Sequence, residues 1–451
     1  MNKSLLALAA LSLSVPAYAD RADDALESDT IAWDFVEGIT TEVGPRMPGT
    51  EQEARGRVWA MEWLRVNGFA NIADEPFDMP TWVRGIETAE VTAPFAQPMA
   101  ITALSTTTST GPDGIEAEVV YFASYADLVA AEDGSLDGKI AFVSHDMRAA
   151  QDGSHYGFAG PARWTAPSLA ASKGALATVI RSVGTDSHRV PHTGTTTFAD
   201  GVTPTPAGAL SNPDADNLER MFERADGQPI RMKLVMTPRD LGTTRSGNVV
   251  GEIVGRDPSL PPVLLACHLD SWDLGTGAID DGAGCGIIAA AAKHVAAEGQ
   301  PLRTIRLLFA GAEETGLWGS KAYAEAHLDD PVYVGLESDF GADRIWRLES
   351  NFTASDPALY RDLAAAVGRF GVAPSRIVAS GGADLNLVRE QGGPLIDLQQ
   401  DGTRYFDLHH TADDTLDKID PVQLRQNVAV WTAVVGVLAN REEPVLMPDA
   451  E

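Results

Sequence analysis

The sequence predicts an α/β fold, a mixed and largely parallel sheet flanked by helices, interrupted by an inserted α+β domain. Three observations carry this expectation. From Asn248 onward, strand-like and helix-like stretches alternate, the pattern of a parallel sheet with crossover helices. A block at residues 111–235 has strands of its own but none of the chemical motifs found downstream. The chain has 451 residues, more than one compact core usually holds. With 44% hydrophobic and 22% charged residues it has an ordinary globular composition, so a sizeable core is expected.

The elements follow in order. Lys3, an apolar run over residues 5–15 and Ala17-Tyr18-Ala19 before Asp20 form a secretory signal pattern, with cleavage expected after Ala19. The run is too short to span a bilayer. The expected product is exported, secreted or periplasmic. Without residues 1–19 there remain 33 Lys and Arg against 64 Asp and Glu, a formal charge of −31. That charge argues against nucleic acid or an anionic membrane as partner. Ile31, Phe35, Val36 and Ile39 lie at helical spacing, as do Val58, Trp59, Met61, Trp63 and Leu64, with the breaker Gly44-Pro45-Arg46-Met47-Pro48-Gly49 between them. Strand-like segments occupy residues 72–104, and 105–114 reads as a linker.

In the block that follows, residues 118–122, 139–143 and 177–180 read as strands and 168–173 as a helix. Beyond Asn248, strands are expected at 263–266, 304–309 and 332–336, and helices at 284–297 and 320–326. The two cysteines, Cys267 and Cys285, form no disulfide framework. They read as small buried residues, with a single disulfide open to an exported protein. In a strand, Cys267 would face away from its neighbour His268.

Five motifs carry chemistry: His268-Leu269-Asp270, Asp280-Asp281, Glu313-Glu314, Asp339 and His410-Thr-Ala-Asp-Asp-Thr. Three of them fall just after predicted strands, where α/β sheets bind ligands. Two histidines and several carboxylates suit a pair of divalent cations, and one further carboxylate suits a general base, which together indicate hydrolysis. Asp270, two residues beyond His268, would share its side of a continuing strand and bond its ring. Asp280 in a small-residue loop can bridge two cations, and Asp281 suits a helix cap. His188 and His192 flank Pro191, so they are not a helical pair and read as loop residues.

The motifs and their order resemble the co-catalytic di-zinc exopeptidases related to bacterial leucyl aminopeptidases, most nearly the plasma glutamate carboxypeptidase branch. The matching stretches are Gly44-Pro-Arg46, Cys-His-Leu-Asp-Ser-Trp-Asp (267–273), Gly-Ala-Ile-Asp-Asp-Gly (277–282), Ala-Glu-Glu (312–314), Glu-Ser-Asp (337–339), His-His-Thr (409–411) and the loop Pro191-His192-Thr193-Gly194. They run from roughly residue 30 to 440. Cys267 departs from the glycine usual before the first histidine, and His409 from the tyrosine of more distant relatives.

The resemblance implies a di-zinc exopeptidase fold over residues 20–110 and 236–445, with a protease-associated-like insert at 111–235. It implies two Zn²⁺, one held by His268, Asp280 and Asp339 and the other by Asp280, Glu314 and His410. Glu313 would be the general base and Asp270 the partner of His268. His409, Tyr405, Asp384 and His192 would touch a peptide substrate, and the chain would form a homodimer. Aminopeptidase, carboxypeptidase and dipeptidase activities share this ligand set, and so does hydrolysis of a non-peptide amide; a metal-free binding protein on a dead peptidase fold is the remaining alternative.

Overall fold

The computed structural model describes residues 17–297 and 299–448. Of the expected signal peptide, residues 1–16 lie outside these, and Ala17–Ser28 is a helix. No helix among the described residues is long and apolar enough to cross a membrane.

Two eight-stranded sheets organise the chain. The first runs, edge to edge, through Ala70–Val83, Arg239–Ile253, Ile305–Ala310, Val263–His268, Val334–Glu337, Leu395–Gln400, Ile345–Ser350 and Ala373–Pro374. Its centre is parallel: Val263–His268 pairs on both sides, with Ile305–Ala310 and with Val334–Glu337, and the latter pairs with Leu395–Gln400. Antiparallel strands flank this centre. The expected mixed, largely parallel sheet is therefore present.

Its central strand is buried on both faces, and side-chain alternation assigns each residue. Val263, Leu265 and Cys267 join the large core built with the helices Ala283–Ala296 and Pro421–Ala439. Leu264 and Ala266 pack on the other face, with Tyr323 of Trp318–His327 and with Leu387 and Val388 of Asn386–Glu390. Cys267 is thus turned away from His268, towards the helix Ala283–Ala296, and there it forms a disulfide with Cys285. The sequence favoured two separate buried thiols; the pairing arises because the strand end and the helix start converge.

The second sheet runs Gln97–Met99, Glu87–Ala93, Arg231–Met236, Ile115–Phe122, Ile140–Val143, Ala177–Arg181, Ala207–Leu210 and Ile101–Ala103. Three of its strands precede residue 104, so by strand pairing the second unit begins near residue 86, earlier than the boundary drawn at 110. The chain crosses back between Met236 and Arg239. Residues 105–110 are less a linker than a seam: Ser105 N donates to the Gly194 carbonyl at 3.0 Å and Thr110 N to the Met236 carbonyl at 2.8 Å.

The disulfide ties the strand bearing His268 to the helix that follows Asp280. Its 18-residue separation gives a chain-entropy contribution of about 3 kcal/mol. Replacing both cysteines by alanine should lower unfolding stability by about that amount in a denaturant titration of metal-free protein. An unchanged midpoint would show that the bond contributes nothing.

Candidate metal centre and active site

Each ligand candidate sits where a regular element stops. His268 ends the central strand, and Asp339 follows Val334–Glu337 by two residues. Asp280 lies in the loop entering Ala283–Ala296, and the Asp280–Asp281 peptide is cis. Glu313 and Glu314 occupy the turn after Ile305–Ala310, where Ala312 adopts φ 57°. His410 follows the short helix Tyr405–Leu408 and has φ 63°.

These ends converge around one carboxylate. Asp280 Oδ1 is 3.0 Å from His268 Nε2, and its Oδ2 is 3.5 Å from His410 Nε2. Asp339 Oδ1 is 3.5 Å from His268 Nε2, and Glu314 Oε2 is 2.9 Å from His410 Nε2. Asp280 therefore turns one oxygen to each histidine, with a second carboxylate beside each. Glu313 lines the same cavity.

Buried acceptors and one arginine position the loops. Asp270 Oδ1 accepts the amide of Glu313 at 3.1 Å and its Oδ2 that of Glu314 at 3.3 Å. This corrects the expected role of Asp270. The strand stops at His268, alternation ends with it, and His268 Nδ1 donates instead to the Asp270 carbonyl at 3.0 Å. The Asp270 carboxylate stands 3.8 Å from that nitrogen and clamps the Glu313-Glu314 turn. Asp281 accepts from His268 N at 3.2 Å and from Gly284 N at 3.1 Å, so it caps the helix and ties it to the ligand strand. Asp414 Oδ1 accepts from Ala278 N at 2.8 Å and Ile279 N at 2.6 Å, fixing the loop that carries Asp280. The fully buried Arg46 donates to the carbonyls of Gly44, Leu269, Thr276 and Gly277.

The electrostatics fit cations. Burial raises the pKa of Glu313 well above its ordinary value, and the charges of Asp339, Asp270 and Asp280 add to it, against the opposing pull of His268. Glu314 is raised by burial and by Asp280. Burial pushes His268 down, but Asp339 and Asp280 outweigh it and hold it well above the usual range. His410 is pushed down to about 3 by burial and by Arg163, which keeps its imidazole neutral and able to donate a lone pair. Asp280 Oδ2 and Glu314 Oε1 are buried with no hydrogen-bond partner. Orphaned carboxylate oxygens beside neutral imidazole are what divalent cations with nitrogen and oxygen preferences complete, so the residues fit such a cation.

Comparisons with known proteins agree with this geometry. Peptidase family M28 matches residues 248–435, the stretch that carries all five motifs. Carboxypeptidase Q of Bos taurus is 34% identical over 407 residues, covering 89% of this chain and 84% of the relative.

The chain belongs to peptidase family M28.

A solved M28 peptidase precursor from Shewanella amazonensis SB2B is 41% identical, with a TM-score of 0.91 over 96% of this chain and 98% of that one. An aminopeptidase from Aneurinibacillus sp. strain AM-1 shares the fold, at a TM-score of 0.62 and 20% identity over 96% of this chain and 98% of that one.

The remaining candidates of this M28 peptidase divide. His409 and Tyr405 line the cavity, and His409 stacks on His410 with ring centroids 3.5 Å apart. His192 does not reach the cavity. It is fully buried, with Nε2 2.6 Å from Asp186 Oδ2, and its Nδ1 donates to the His409 carbonyl at 2.7 Å. It holds up the histidine segment from behind. Asp384 is buried with both oxygens unpartnered, its pKa raised by burial and by the Glu313 charge, and its neighbour Ala383 supplies the cavity wall. Sequence reading missed Tyr156, Arg163, Trp164, Thr195 and Thr197, which come from the second sheet's unit and form the facing wall. No local pattern marks them, because their place depends on how the two sheets dock. Thr195 Oγ1 donates to the Glu314 carbonyl at 2.7 Å and Thr193 N to the His410 carbonyl at 3.0 Å, so this unit is bonded to the segments that carry two of the candidate ligands.

Elemental analysis of purified, zinc-reconstituted protein should find two ions per chain. His410→Ala should lose about one ion, and Asp280→Ala should disturb both. One ion or none in the unaltered protein would refute the paired site.

Proposed function

We propose that this M28 enzyme is a zinc-dependent exopeptidase with two ions, hydrolysing dipeptides or short peptides. The observation that carries the reading is Asp280, which turns separate oxygens to His268 and His410 in a cavity that also contains Glu313. In this reading one ion is held by His268, Asp280 and Asp339, the other by Asp280, Glu314 and His410. When bound, such a pair polarises a scissile carbonyl and acidifies the attacking water.

The chain's own residues do the rest. Glu313 accepts the proton of the attacking water and returns it to the leaving amine. Its poise depends on desolvation: burial and nearby carboxylates favour its protonated form, and the cations would offset the latter. Asp270 holds Glu313 and Glu314 in their separate directions through their backbone amides. Tyr156, Trp164, Phe340, Tyr405 and Phe406 wall a cavity of about 510 Å³, which suits a short peptide and excludes a folded chain. We place the enzyme outside the cytoplasm, exported with cleavage after Ala19, and acting as a homodimer.

Glu313→Gln should retain two ions and a native melting profile while kcat falls on the order of 10² to 10⁴-fold. Glu314→Gln should instead lose metal. Near-normal activity of metal-loaded Glu313→Gln would overturn the assignment of the base. A dipeptide should be cleaved with much higher kcat/KM than a pentapeptide, and a folded protein should resist cleavage.

A further inference from the structure

Buried charges in folded proteins are normally paired, since an isolated one loses its hydration without compensation. Arg163 is an exception. It lies in the short helix Pro161–Trp164 and is 4% exposed. Its Nη2 donates to the Tyr156 hydroxyl, and its guanidinium lies over the rings of Tyr156 and Trp164 at 5.3 and 5.9 Å. Its Nη1 is 3.4 Å from His410 Nδ1, but that nitrogen already faces the Thr193 carbonyl at 3.2 Å and, as its donor, has no lone pair to offer. Its Nε has no partner, and no carboxylate pairs with it among the described residues.

Two further features mark the arginine as built into place. Among the described residues it is the only lysine or arginine lining the cavity, which Asp280, Glu313, Glu314 and Asp339 also line. Gly194, at φ +143°, makes room for it: a Cβ there would stand 2.6 Å from Arg163 Cζ. The loop Pro191-His192-Thr193-Gly194 therefore clears the space in which the guanidinium lies.

We propose that Arg163 binds the free C-terminal carboxylate of the peptide, so that the enzyme releases a single C-terminal residue as a carboxypeptidase or dipeptidase. A carboxylate is the planar anion that a guanidinium with free N–H groups matches. The position fits: one imidazole ring, that of His410, separates the guanidinium from Glu314 and Asp280. A C-terminal residue reaches about 3.6 Å from the cleaved bond to its own carboxylate, and a hydrogen bond of about 2.9 Å from that carboxylate to the guanidinium adds the remainder. The proposal rests on the peptidase reading and specifies which end of the substrate is recognised.

The experiment compares a dipeptide with its C-terminal amide, using zinc-loaded unaltered enzyme, Arg163→Gln and Arg163→Lys. The unaltered enzyme should prefer the free acid in kcat/KM by roughly 10- to 100-fold, the size of a hydrogen-bonded charge. Arg163→Gln should bring that ratio close to one, chiefly through KM, and Arg163→Lys should restore part of it. A purely structural role would slow both substrates alike and leave the ratio intact, which would overturn the proposal. So would equal cleavage of acid and amide by the unaltered enzyme, a comparison that does not depend on any variant folding. Calorimetric binding of the same two peptides to Glu313→Gln supplies a second readout. If neither peptide is cleaved, the peptidase reading fails; a binding preference for the free acid that disappears in Glu313→Gln/Arg163→Gln still supports the anchor, and equal binding refutes it.

Discussion

Carboxylates crowded at the centre of this protein repel one another, so the backbone must hold them. The same device recurs around the site: a buried acid accepts two main-chain amides and thereby fixes a loop. Asp270 holds the Glu313-Glu314 turn, and Asp281 joins His268 to the helix beginning at Ala283. Asp414 holds the approach to Asp280, and Glu337 holds Ala383 and Asp384 at 2.7 and 2.5 Å. Charged acceptors make the stronger hydrogen bonds, and in a desolvated interior they are stronger still. Arg46 complements them by gathering loop carbonyls, and burial lowers its own pKa to about 10 even among acids that raise it.

Negative charge therefore does two jobs here. Acids with two amide donors are structural and satisfied. Of the acids with oxygens left over, Asp280 and Glu314 face the imidazoles and are suited to cations, whereas Asp384 has no imidazole partner among the described residues. The distinction is one of partners, since members of both groups are buried and both lie close after strands or in loops.

The second sheet's unit is part of the site. Its loop bonds to the Glu314 and His410 segments, and its helix contributes the arginine beside His410. The unit with the clustered acids and histidines and the unit that supplies the facing wall are thereby fastened through the Glu314 and His410 segments. Any shift of one unit against the other would move His410 and the cavity wall together.

The sequence by itself determined the mixed sheet and picked out acidic and histidine residues that meet at one cavity. His268, Asp280, Glu314, Asp339 and His410 were legible because each stands in an unusual short motif after a strongly periodic apolar stretch, and local patterning decides where such stretches end. It went astray where a side chain's direction depended on what lay across from it. Period-two alternation put Asp270 on the ring of His268, but the strand ends there and the carboxylate turns to amides 43 and 44 residues away. The Pro191-His192 loop was noticed, yet only docking shows His192 packed behind His409 rather than in the cleft. Cys267 was assigned to the correct face, but its bond to Cys285 required the helix to arrive beneath it. Arg163 had no signature at all: an arginine is a surface residue by default, and only the closure of two sheets over one cavity makes it a buried cation without an anion.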